Sequence, residues 1–373
     1  MKMSERLRNA PLSGIRKMFD LASSDSVNLS LGEPDVRPPE EALKGMNDAS
    51  MKGMNGYGPT AGIMPLRESV ALRYAKHGTR PENIMITPSG TSALMLIAQS
   101  LIDPGDEALI PSPGFVVYGP HTAISAGKAV EYKLTDGDFQ PDTDDIQRNI
   151  TKRTKAIFVN SPSNPTGGVL SEASFKAIRD ISKDKNITVI SDEVYEPFVY
   201  EGKHISFMTE LDNSIVVNGF SKMMAVTGWR MGFIAANKDA ITDITKMAYH
   251  MCACPNTPAQ YGILEAMPKV NCYLENVRAI YRRRRDLITA RINGMDGLHM
   301  DTPKGAFYAF PKFSFPVTSE ELAVRLAKNG LICVPGSAFG RYGEGHLRFS
   351  YAADEDKISR GMDILERTLK QMR

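Results

Sequence analysis

Cysteine is scarce in this sequence of 373 residues, and the four cysteines all lie in the C-terminal third, at Cys252, Cys254, Cys272 and Cys333. So few thiols exclude a disulfide framework, and their spacing lacks the paired C-x-x-C pattern of structural zinc sites. We expect reduced, mostly buried cysteines. The histidines never pair at helical ligand spacing, and His250 beside Cys252 is interpreted as packing, so we predict no metal site.

Excess charge is also lacking, because 45 Lys and Arg residues against 43 Asp and Glu residues leave a net charge of +2. That balance disfavours a dedicated nucleic-acid binder. The basic run Arg282–Arg285 has Glu275 and Asp286 nearby, so we interpret it as a solvated or inter-subunit helix face. We expect small-molecule or protein partners and no nucleic acid.

Long apolar runs are absent, since no stretch reaches the ~18 apolar residues of a membrane span. The N-terminus also lacks the apolar core of a secretory leader. Charged residues interrupt it at Arg6, Arg8, Arg16, Lys17 and Asp20. We therefore predict no membrane association and a cytoplasmic location.

The composition, 42% hydrophobic and 24% charged, is typical of a globular protein. Between about residues 80 and 240, short β-branched runs alternate with helical patterns. Alternating strands and crossover helices predict a mostly parallel sheet flanked by helices, an α/β fold. The predicted strands are Ile84–Thr87, Glu107–Ile110, Ala156–Asn160, Thr188–Ser191, Ser214–Asn218 and Met231–Ala235.

The pattern changes near Asn271 to a long charged helix through Arg291, followed by short strands and a final helix from Asp354. We predict a large domain over residues 46–270 and a smaller α+β domain over residues 271–373. Residues 1–45 are expected to form an N-terminal arm and part of the small domain, with an apolar stripe at Leu12, Ile15, Met18 and Phe19.

Polar residues follow four of the predicted strands, at the sheet edge where open α/β proteins bind ligands. A small-residue turn that opens a helix can bind phosphate through free amide groups. A strand-end lysine, a buried carboxylate and an arginine complete the chemistry that pyridoxal phosphate requires. The four strand ends continue as Ser89-Gly90-Thr91, Asn160–Gly167, Asp192–Tyr195 and Gly219–Arg230. Each signal is weak alone, because caps, turns and solvated lysines are common.

At these positions the sequence resembles the class I aminotransferases of pyridoxal-phosphate fold type I, particularly archaeal and bacterial aspartate and aromatic aminotransferases. The likeness covers nearly the whole chain in the right order. It implies an aspartate-aminotransferase-like fold, a large pyridoxal-phosphate-binding domain and a homodimer with shared active sites. The stretches that carry it include Gly32–Asp35, Tyr57–Pro59, Asn160–Gly167, Ser191–Tyr195, Asn218–Gly232, Lys304–Tyr308, Val334–Gly340 and Leu347–Ala352.

The resemblance implies a role for each matching residue. Lys222 would bind the cofactor's aldehyde and then shuttle the substrate proton, while Asp192 would hold the ring nitrogen protonated. Asn164 and Tyr195 would bond the ring's phenolic oxygen, and Arg348 would grip the substrate α-carboxylate as a rigid bidentate fork. The remaining implied contacts are Phe115 on the ring face, Ser89, Gly90, Thr91 and Arg230 at the phosphate, Tyr57 at the neighbouring subunit's phosphate, and Gly32 over the substrate carboxylate.

The sequence departs from many relatives at Gly219, where they carry a phosphate-binding serine three residues before the lysine. The hypothesis is that Ser221 substitutes for it.

The predicted function is ping-pong transfer of an amino group from an L-amino acid to 2-oxoglutarate, through pyridoxal and pyridoxamine phosphate. Aspartate and aromatic amino acids both remain open, because no obvious second cation lies beside the phosphate turn. Other pyridoxal-phosphate chemistry, such as β-elimination from cysteine conjugates or racemisation, begins from the same carbanion and is the main alternative.

Two alternatives belong to other classes. A transcription regulator with an aminotransferase-like body would need an added DNA-binding domain, for which we see no room. A nicotinamide-dependent dehydrogenase would need G-x-G-x-x-G after a strand, with an acidic residue about 20 positions on, and no strand here is followed by that pattern.

Overall fold

The structure, a computed structural model, describes Met18 and residues 25–372. Of the predicted N-terminal apolar stripe, only Met18 is described, and it is buried. Leu12, Ile15 and Phe19 lie outside the described residues. No helix in the described part of the chain is long and apolar enough to cross a membrane, and the cytoplasmic location stays a prediction.

The strands of the described residues alternate with helices through the first two thirds of the chain. The strands are β1 (Val27–Asn28), β2 (Ile84–Thr87), β3 (Glu107–Ser112), β4 (Lys128–Lys133), β5 (Thr154–Asn160), β6 (Thr188–Asp192), β7 (Ser214–Gly219), β8 (Gly232–Ala235), β9 (Leu298–His299), β10 (Tyr308–Ala309), β11 (Lys312–Phe313), β12 (Leu331–Ile332), β13 (Val334–Pro335) and β14 (Leu347–Ser350).

The helices begin mostly at side-chain caps, such as Ser171 and Asp354, whose oxygens accept a backbone N–H of the first turn. They are α1 (Glu40–Met51), α2 (Met64–Arg73), α3 (Gly90–Leu101), α4 (Tyr118–Ile124), α5 (Thr143–Asn149), α6 (Glu172–Lys185), α7 (Phe220–Met223), α8 (Lys238–Cys252), α9 (Thr257–Ala266), α10 (Val270–Asn293), α11 (Ser319–Lys328) and α12 (Glu355–Lys370).

A seven-stranded sheet forms the centre of the fold, in the order β2-β8-β7-β6-β5-β3-β4. The neighbours from β7 to β4 pair in parallel, whereas β8 runs antiparallel between β2 and β7. Strands β2, β6, β7 and β8 are buried along nearly their whole length, as parallel sheets covered on both faces require. The predicted α/β class with a mostly parallel sheet is confirmed.

The sequence analysis missed strand β4, which lies at the sheet edge beside β3. Its residues are Lys-Ala-Val-Glu-Tyr-Lys, and five of the six are at least partly exposed. A half-exposed edge strand carries charges that discourage pairing with other chains, so it lacks the apolar run by which the buried strands were recognised.

The C-terminal part of the chain forms smaller sheets, including β10-β14-β13. Strand β1 pairs in parallel with β12, with Val27 opposite Leu331. The segment after residue 24 is therefore tied to the C-terminal part, although the predicted domain boundaries themselves stay predictions.

Helix α10 corrects the interpretation of the arginine run. Arg282 and Arg283 are exposed, but Arg284 and Arg285 are buried. Arg284 donates from both terminal nitrogens to the Asp35 carboxylate, at 2.7 and 2.9 Å, and Arg285 bonds Glu201 at 2.9 Å. A solvated face is therefore wrong for these two residues, because each anchors a distant segment of the same chain.

Two minor expectations are also corrected. Only Cys333 of the cysteines is buried, whereas Cys272 is exposed and Cys252 and Cys254 are intermediate, although all four are free thiols. His250 is exposed and contacts the Tyr249 ring edge-on rather than packing in a core. In the described ranges, no group of His, Cys, Asp and Glu side chains could hold a metal ion.

Candidate active site

The carboxyl ends of the central strands meet at one cavity of about 220 Å³. Asn160 of β5 lies opposite Asp192 of β6, and β7 ends beside them at Gly219. All of the predicted site residues except Tyr57 line this cavity. They are Gly32, Ser89, Gly90, Thr91, Phe115, Asn164, Asp192, Tyr195, Ser221, Lys222, Arg230 and Arg348.

The first residues of α3 line the cavity. Ser89 precedes the helix with φ 94°, and its Oγ accepts the backbone N–H of Ser92 at 3.1 Å. The N–H groups of Gly90 and Thr91 belong to the first helical turn, which has no intrahelical acceptor for them. Gly232 permits this turn, because a Cβ there would lie 2.6 Å from the Gly90 nitrogen. The turn can therefore bind an anion.

Arg230 and Ser221 line the same cavity. Arg230 is exposed with φ 58°, and its Nη1 donates to the Thr227 carbonyl at 2.8 Å. Ser221 Oγ makes only a long 3.4 Å bond to the Met231 carbonyl, so its hydroxyl can still serve a ligand. A Cβ at Gly219 would meet nothing closer than 3.6 Å, so this position has space for a side chain.

Lys222 lies in the short helix α7, directly after β7. Its Nζ donates to the Gly32 carbonyl at 2.6 Å. Burial lowers the pKa of this amine to about 8, with Arg230 and Arg348 lowering it and Glu33 opposing. A lowered pKa leaves a larger fraction of the amine neutral near pH 7, and the neutral form is the nucleophile that condenses with an aldehyde.

Asp192, the last residue of β6, is 2% exposed. Its Oδ2 accepts the Tyr118 hydroxyl at 2.8 Å, and its Oδ1 accepts the Val194 amide at 3.3 Å. Burial raises the pKa of this carboxyl to about 6, against the lowering effect of the two donors. Among the described residues no cation contacts it, so the site offers a buried carboxylate suited to a cationic ligand.

The turn after β5 is fastened to the neighbouring strand. Asn160 Nδ2 donates to the Asp192 carbonyl at 2.9 Å, and Asn160 Oδ1 accepts the Asn164 amide at 2.8 Å. Asn160 also lines the cavity, although the sequence pattern marks it only as the end of a strand. These bonds place Asn164 at the cavity wall.

Arg348 of β14 is 1% exposed and contacts no carboxylate in the described chain. Its terminal nitrogens donate to Asn164 Oδ1 at 2.9 Å and to the Ser30 carbonyl. Its Nε is buried without a hydrogen-bond partner, and its guanidinium lies 4.6 Å from the centre of the Tyr308 ring. A buried cation without a counter-ion is costly unless an anion binds there.

Tyr195 and Tyr308 join at the cavity wall, where their hydroxyl oxygens are 2.7 Å apart. Tyr308, which the sequence analysis did not assign a role, comes from β10 rather than from the central sheet. Tyr118, also missed, lies in α4 against Phe115 with ring centroids 5.8 Å apart. Tyr308 ends the matching stretch Lys304–Tyr308, but nothing in the sequence places its hydroxyl beside Tyr195.

Tyr57 does not line the cavity of its own chain. Its side chain is 93% exposed, on the loop between α1 and α2. The neighbouring Gly56 carbonyl accepts the Thr257 hydroxyl at 2.9 Å, which fastens this loop to the start of α9.

The polar groups that line the cavity fit pyridoxal phosphate. The amide-lined turn suits its phosphate, the uncompensated Asp192 suits a protonated ring nitrogen, and Lys222 suits its aldehyde. The unpaired Arg348 remains for a second anion, such as a substrate carboxylate. The arrangement can bind an aldehyde cofactor covalently and hold a carboxylate ligand beside it.

Comparisons with known proteins agree with this chemistry. Residues 24–365 match the family described as "Aminotransferase class I and II". The chain is 39% identical to a "Probable aspartate aminotransferase" of Methanocaldococcus jannaschii, over 98% of this chain and 99% of that one. It is 37% identical to "Aromatic-amino-acid aminotransferase 2" of Thermococcus litoralis, over 100% and 99% of the two chains.

Solved structures give the same result. The alanine aminotransferase from Pyrococcus furiosus superimposes with a TM-score of 0.94 at 34% identity, covering 99% of this chain and 100% of that one.

Proposed function

The chain belongs to the aminotransferase class I and II family and is a pyridoxal-phosphate-dependent transaminase, and from this premise we propose that it transfers the amino group of aspartate or an aromatic amino acid to 2-oxoglutarate. The observation that carries the proposal is Arg348, a buried guanidinium without a counter-ion in the cavity that also holds Lys222. Both the amino acid and the 2-oxo acid carry an α-carboxylate, which would provide Arg348 with its counter-ion.

The chain's residues divide the work between two ends of the cavity. Ser89, Gly90, Thr91, Ser221 and Arg230 would hold the phosphate, while Asn164 and Tyr195 would bond the phenolic oxygen and Phe115 would cover the ring. When bound, the cofactor supplies an electron sink for the electrons that remain on the substrate Cα when its C–H bond breaks. Asp192 sustains that sink because its buried carboxylate favours a proton on the ring nitrogen.

Lys222 moves the proton. Its amine would take the proton from the substrate Cα and deliver it to the carbon that carried the cofactor's aldehyde, a positioned transfer that contributes roughly 10²–10⁴-fold. Arg348 would fix the substrate carboxylate, whereas the Gly32 carbonyl accepts the Lys222 amine at 2.6 Å and so holds the base beside the substrate.

The identity of the amino acid is the finer part of the proposal. The relatives described above are named for aspartate, aromatic amino acids and alanine. Beyond Arg348, the cations that line the cavity within the described residues are Lys222 and Arg230, both assigned to the cofactor. The described part of one chain therefore offers no further cation for the side-chain carboxylate of aspartate. An aromatic amino acid fits this proposal as well as aspartate does.

We also propose a homodimer with shared active sites. Tyr57 is 93% exposed, and Met51 and Met54 nearby are 81% and 40% exposed. Exposed apolar side chains clustered in one stretch are typical of a protein interface. On a partner subunit, the Tyr57 hydroxyl would reach the phosphate end of the neighbouring cavity.

The substrate test uses the cofactor-loaded protein with one amino acid at a time. Aspartate, tyrosine, phenylalanine, alanine and cysteine are each mixed with it, and 2-oxo acid and pyridoxamine phosphate are measured by chromatography. We expect stoichiometric amounts of both with aspartate or an aromatic amino acid, followed by glutamate formation with 2-oxoglutarate. Pyruvate, ammonia and sulfide released from cysteine, without pyridoxamine phosphate, would instead support the β-lyase alternative.

The residue controls are Lys222→Ala and Arg348→Lys. The first should abolish covalent cofactor binding. The second keeps the charge but loses the fork, so KM for the amino acid should rise by more than tenfold. Unchanged turnover in Lys222→Ala would contradict the assignment of the lysine.

The dimer test mixes Tyr57→Ala with Lys222→Ala chains. In a mixed dimer, the chain with an intact Lys222 receives an intact Tyr57 from its partner, so one site is complete. We expect the mixture, after subunit exchange, to be more active than either variant alone. No gain, or a monomer by light scattering, would reject the shared site.

A further inference from the structure

The position of Tyr308 follows from strand pairing. In the sheet formed by β10 and β14, Tyr308 lies opposite Ser350. Arg348 is two residues before Ser350 on the same strand, so its side chain leaves the sheet on the same face as that of Tyr308. The Tyr308 ring is therefore stacked against the guanidinium, with 4.6 Å between the Arg348 Cζ and the ring centre.

The hydroxyl of Tyr308 reaches beyond this stack to the central sheet. It lies 2.7 Å from the Tyr195 hydroxyl, and the two rings meet nearly perpendicular, at 84°. Both side chains are buried, at 2% and 4% exposure. Gly32 also borders this point, because a Cβ on Gly32 would overlap the Tyr308 hydroxyl. Tyr308 is thus held on three sides.

Hydrogen-bond counting limits what this pair of hydroxyls can do. Each tyrosine has one O–H hydrogen, and one of the two must donate in the bond between them. If Tyr195 donates to Tyr308, it has no hydrogen left for a ligand. If Tyr308 donates, the Tyr195 hydrogen stays available. In the described part of the chain, Tyr195 is the hydrogen-bond partner of the Tyr308 hydroxyl.

We propose that Tyr308 is a positioning residue that donates its hydroxyl hydrogen to Tyr195 and so directs the Tyr195 hydrogen to the phenolic oxygen of the cofactor. The proposal rests on the proposed function, in which Tyr195 bonds that oxygen. Accepting one hydrogen bond also polarises the Tyr195 hydroxyl and makes it a stronger donor. Tyr308 therefore acts on the cofactor through Tyr195.

The ring and the hydroxyl of Tyr308 have separable roles. The ring stacks on Arg348 and helps to orient the guanidinium, whereas the hydroxyl contacts Tyr195. Tyr308→Phe removes only the hydroxyl, and Tyr308→Leu removes both. These two variants form a matched pair, in which the phenylalanine variant isolates the hydrogen bond.

The experiment measures the apparent pKa of bound pyridoxal phosphate from the pH dependence of its visible absorbance, without substrate. Tyr195 bonding the phenolic oxygen stabilises the deprotonated form, so a weaker bond raises this pKa. For Tyr308→Phe we expect a rise of about 0.4–1 unit, the size of one neutral hydrogen bond. Tyr195→Phe should raise it more, because the direct donor is lost.

The double variant Tyr195→Phe with Tyr308→Phe provides the decisive comparison. If Tyr308 acts through Tyr195, the double variant has the same apparent pKa as Tyr195→Phe alone. A merely structural role would add a second shift. We also expect the dissociation constant of an unreactive monocarboxylate to stay within about twofold in Tyr308→Phe and to rise in Tyr308→Leu.

Several results would overturn the proposal. An unchanged apparent pKa in Tyr308→Phe would do so. Weaker carboxylate binding in that variant at a constant apparent pKa would show that the hydroxyl serves the substrate instead. Additive shifts in the double variant would also contradict it. A wild-type protein that develops no visible absorbance with pyridoxal phosphate would instead refute cofactor binding at Lys222, so the two failures are distinguishable.

Discussion

Two consecutive acidic residues at the end of β6 lie in opposite environments. Asp192 faces the cavity, receives two hydrogen bonds and contacts no cation in the described chain. Glu193 faces away and receives four hydrogen bonds from the residues around it. Its donors are the Ser191 and Ser206 hydroxyls, His204 Nε2 and the Phe207 amide. Both carboxyls are nearly fully buried, at 2% and 1% exposure.

Their pKa values move in opposite directions. Burial raises the pKa of Asp192 to about 6. Burial also opposes the charge of Glu193, but His204 and the two serine hydroxyls outweigh it and lower the pKa of this carboxyl. The Glu193 carboxylate is thus satisfied by the fold itself, whereas Asp192 depends on a ligand. A buried carboxyl group without a charge partner, such as that of Asp192, is typical of a functional site.

The largest expected effect comes from Asp192→Asn. Loss of a buried charge partner costs about 3–5 kcal/mol, so kcat/KM should fall by roughly 10²–10⁴-fold. The cofactor-free variant should nevertheless be more stable than the wild type at pH 8, by roughly 1–3 kcal/mol. Steady-state kinetics and urea unfolding measure the two effects.

The sign of that stability change follows from linkage. The pKa of Asp192 is higher in the folded chain than in the unfolded chain, so its favourable contribution is present below about pH 4 and is lost as the pH rises through about 6. At pH 8 the folded apoprotein holds an unfavourable charge, which asparagine removes. A variant less stable than the wild type at pH 8 would contradict this account.

The second prediction concerns Glu193, whose carboxylate is fully hydrogen-bonded by the fold. His204→Ala removes the partner of a buried carboxylate, so the free energy of unfolding should fall by about 3–5 kcal/mol. The kcat of the folded fraction should change only a few-fold, because the His204–Glu193 bond lies outside the cavity. A large loss of kcat at unchanged stability would reverse the comparison between the two acids.

The pH dependence of the pair sharpens this prediction. The pKa of His204 is raised by Glu193 in spite of burial, and that of Glu193 is lowered. The stabilisation by Glu193 is present above about pH 4.5 and is lost as the pH falls. The stabilisation by His204 is complete below about pH 6.5 and is lost as the pH rises through its folded pKa. The difference in stability between wild type and His204→Ala should therefore be greatest between roughly pH 4.5 and 6.5.

The third prediction concerns a variant in which the Asp192 carboxylate loses one of its two hydrogen bonds. Tyr118→Phe removes the donor 2.8 Å from Asp192 Oδ2, so the pKa of Asp192 should rise further and the acid limb of the kcat/KM profile should move to higher pH. We expect a loss of about tenfold in kcat/KM near neutral pH, consistent with a hydrogen bond to a charged group. An acid limb that stays in place would show that Tyr118 only packs.

The smallest effect is expected at Gly219, where the cavity wall has unused space. Its φ of −164° is extended backbone that any residue adopts, and a Cβ would lie 3.6 Å from the nearest atom. Gly219→Ser should therefore fold and lower the dissociation constant of pyridoxal phosphate by about two- to tenfold. Gly219→Ala is the matched control, which adds the Cβ without the hydroxyl and should bind as the wild type does.

Much of the site was predictable because the polar residues of an α/β protein collect where parallel strands end. Ser89, Asp192 and Lys222 each lie within four positions after a predicted strand, and one cavity unites them. The buried strands were recognised by their apolar runs, whereas the half-exposed β4 was not. Arg348 and Gly32 were placed by family resemblance, since each comes from outside the central sheet.

Local pattern by itself was sufficient for the class of fold and for the ends of the buried strands, because hydrophobic alternation and turn chemistry act over a few neighbouring residues. The role of Lys222 was implied by the family resemblance. The tertiary structure alone decided which buried charges are paired. Arg284 meets Asp35 across 249 positions and Tyr308 meets Tyr195 across 113. Such contacts depend on how strands and helices pack, and the energy of a buried polar group depends on the partner that packing brings to it.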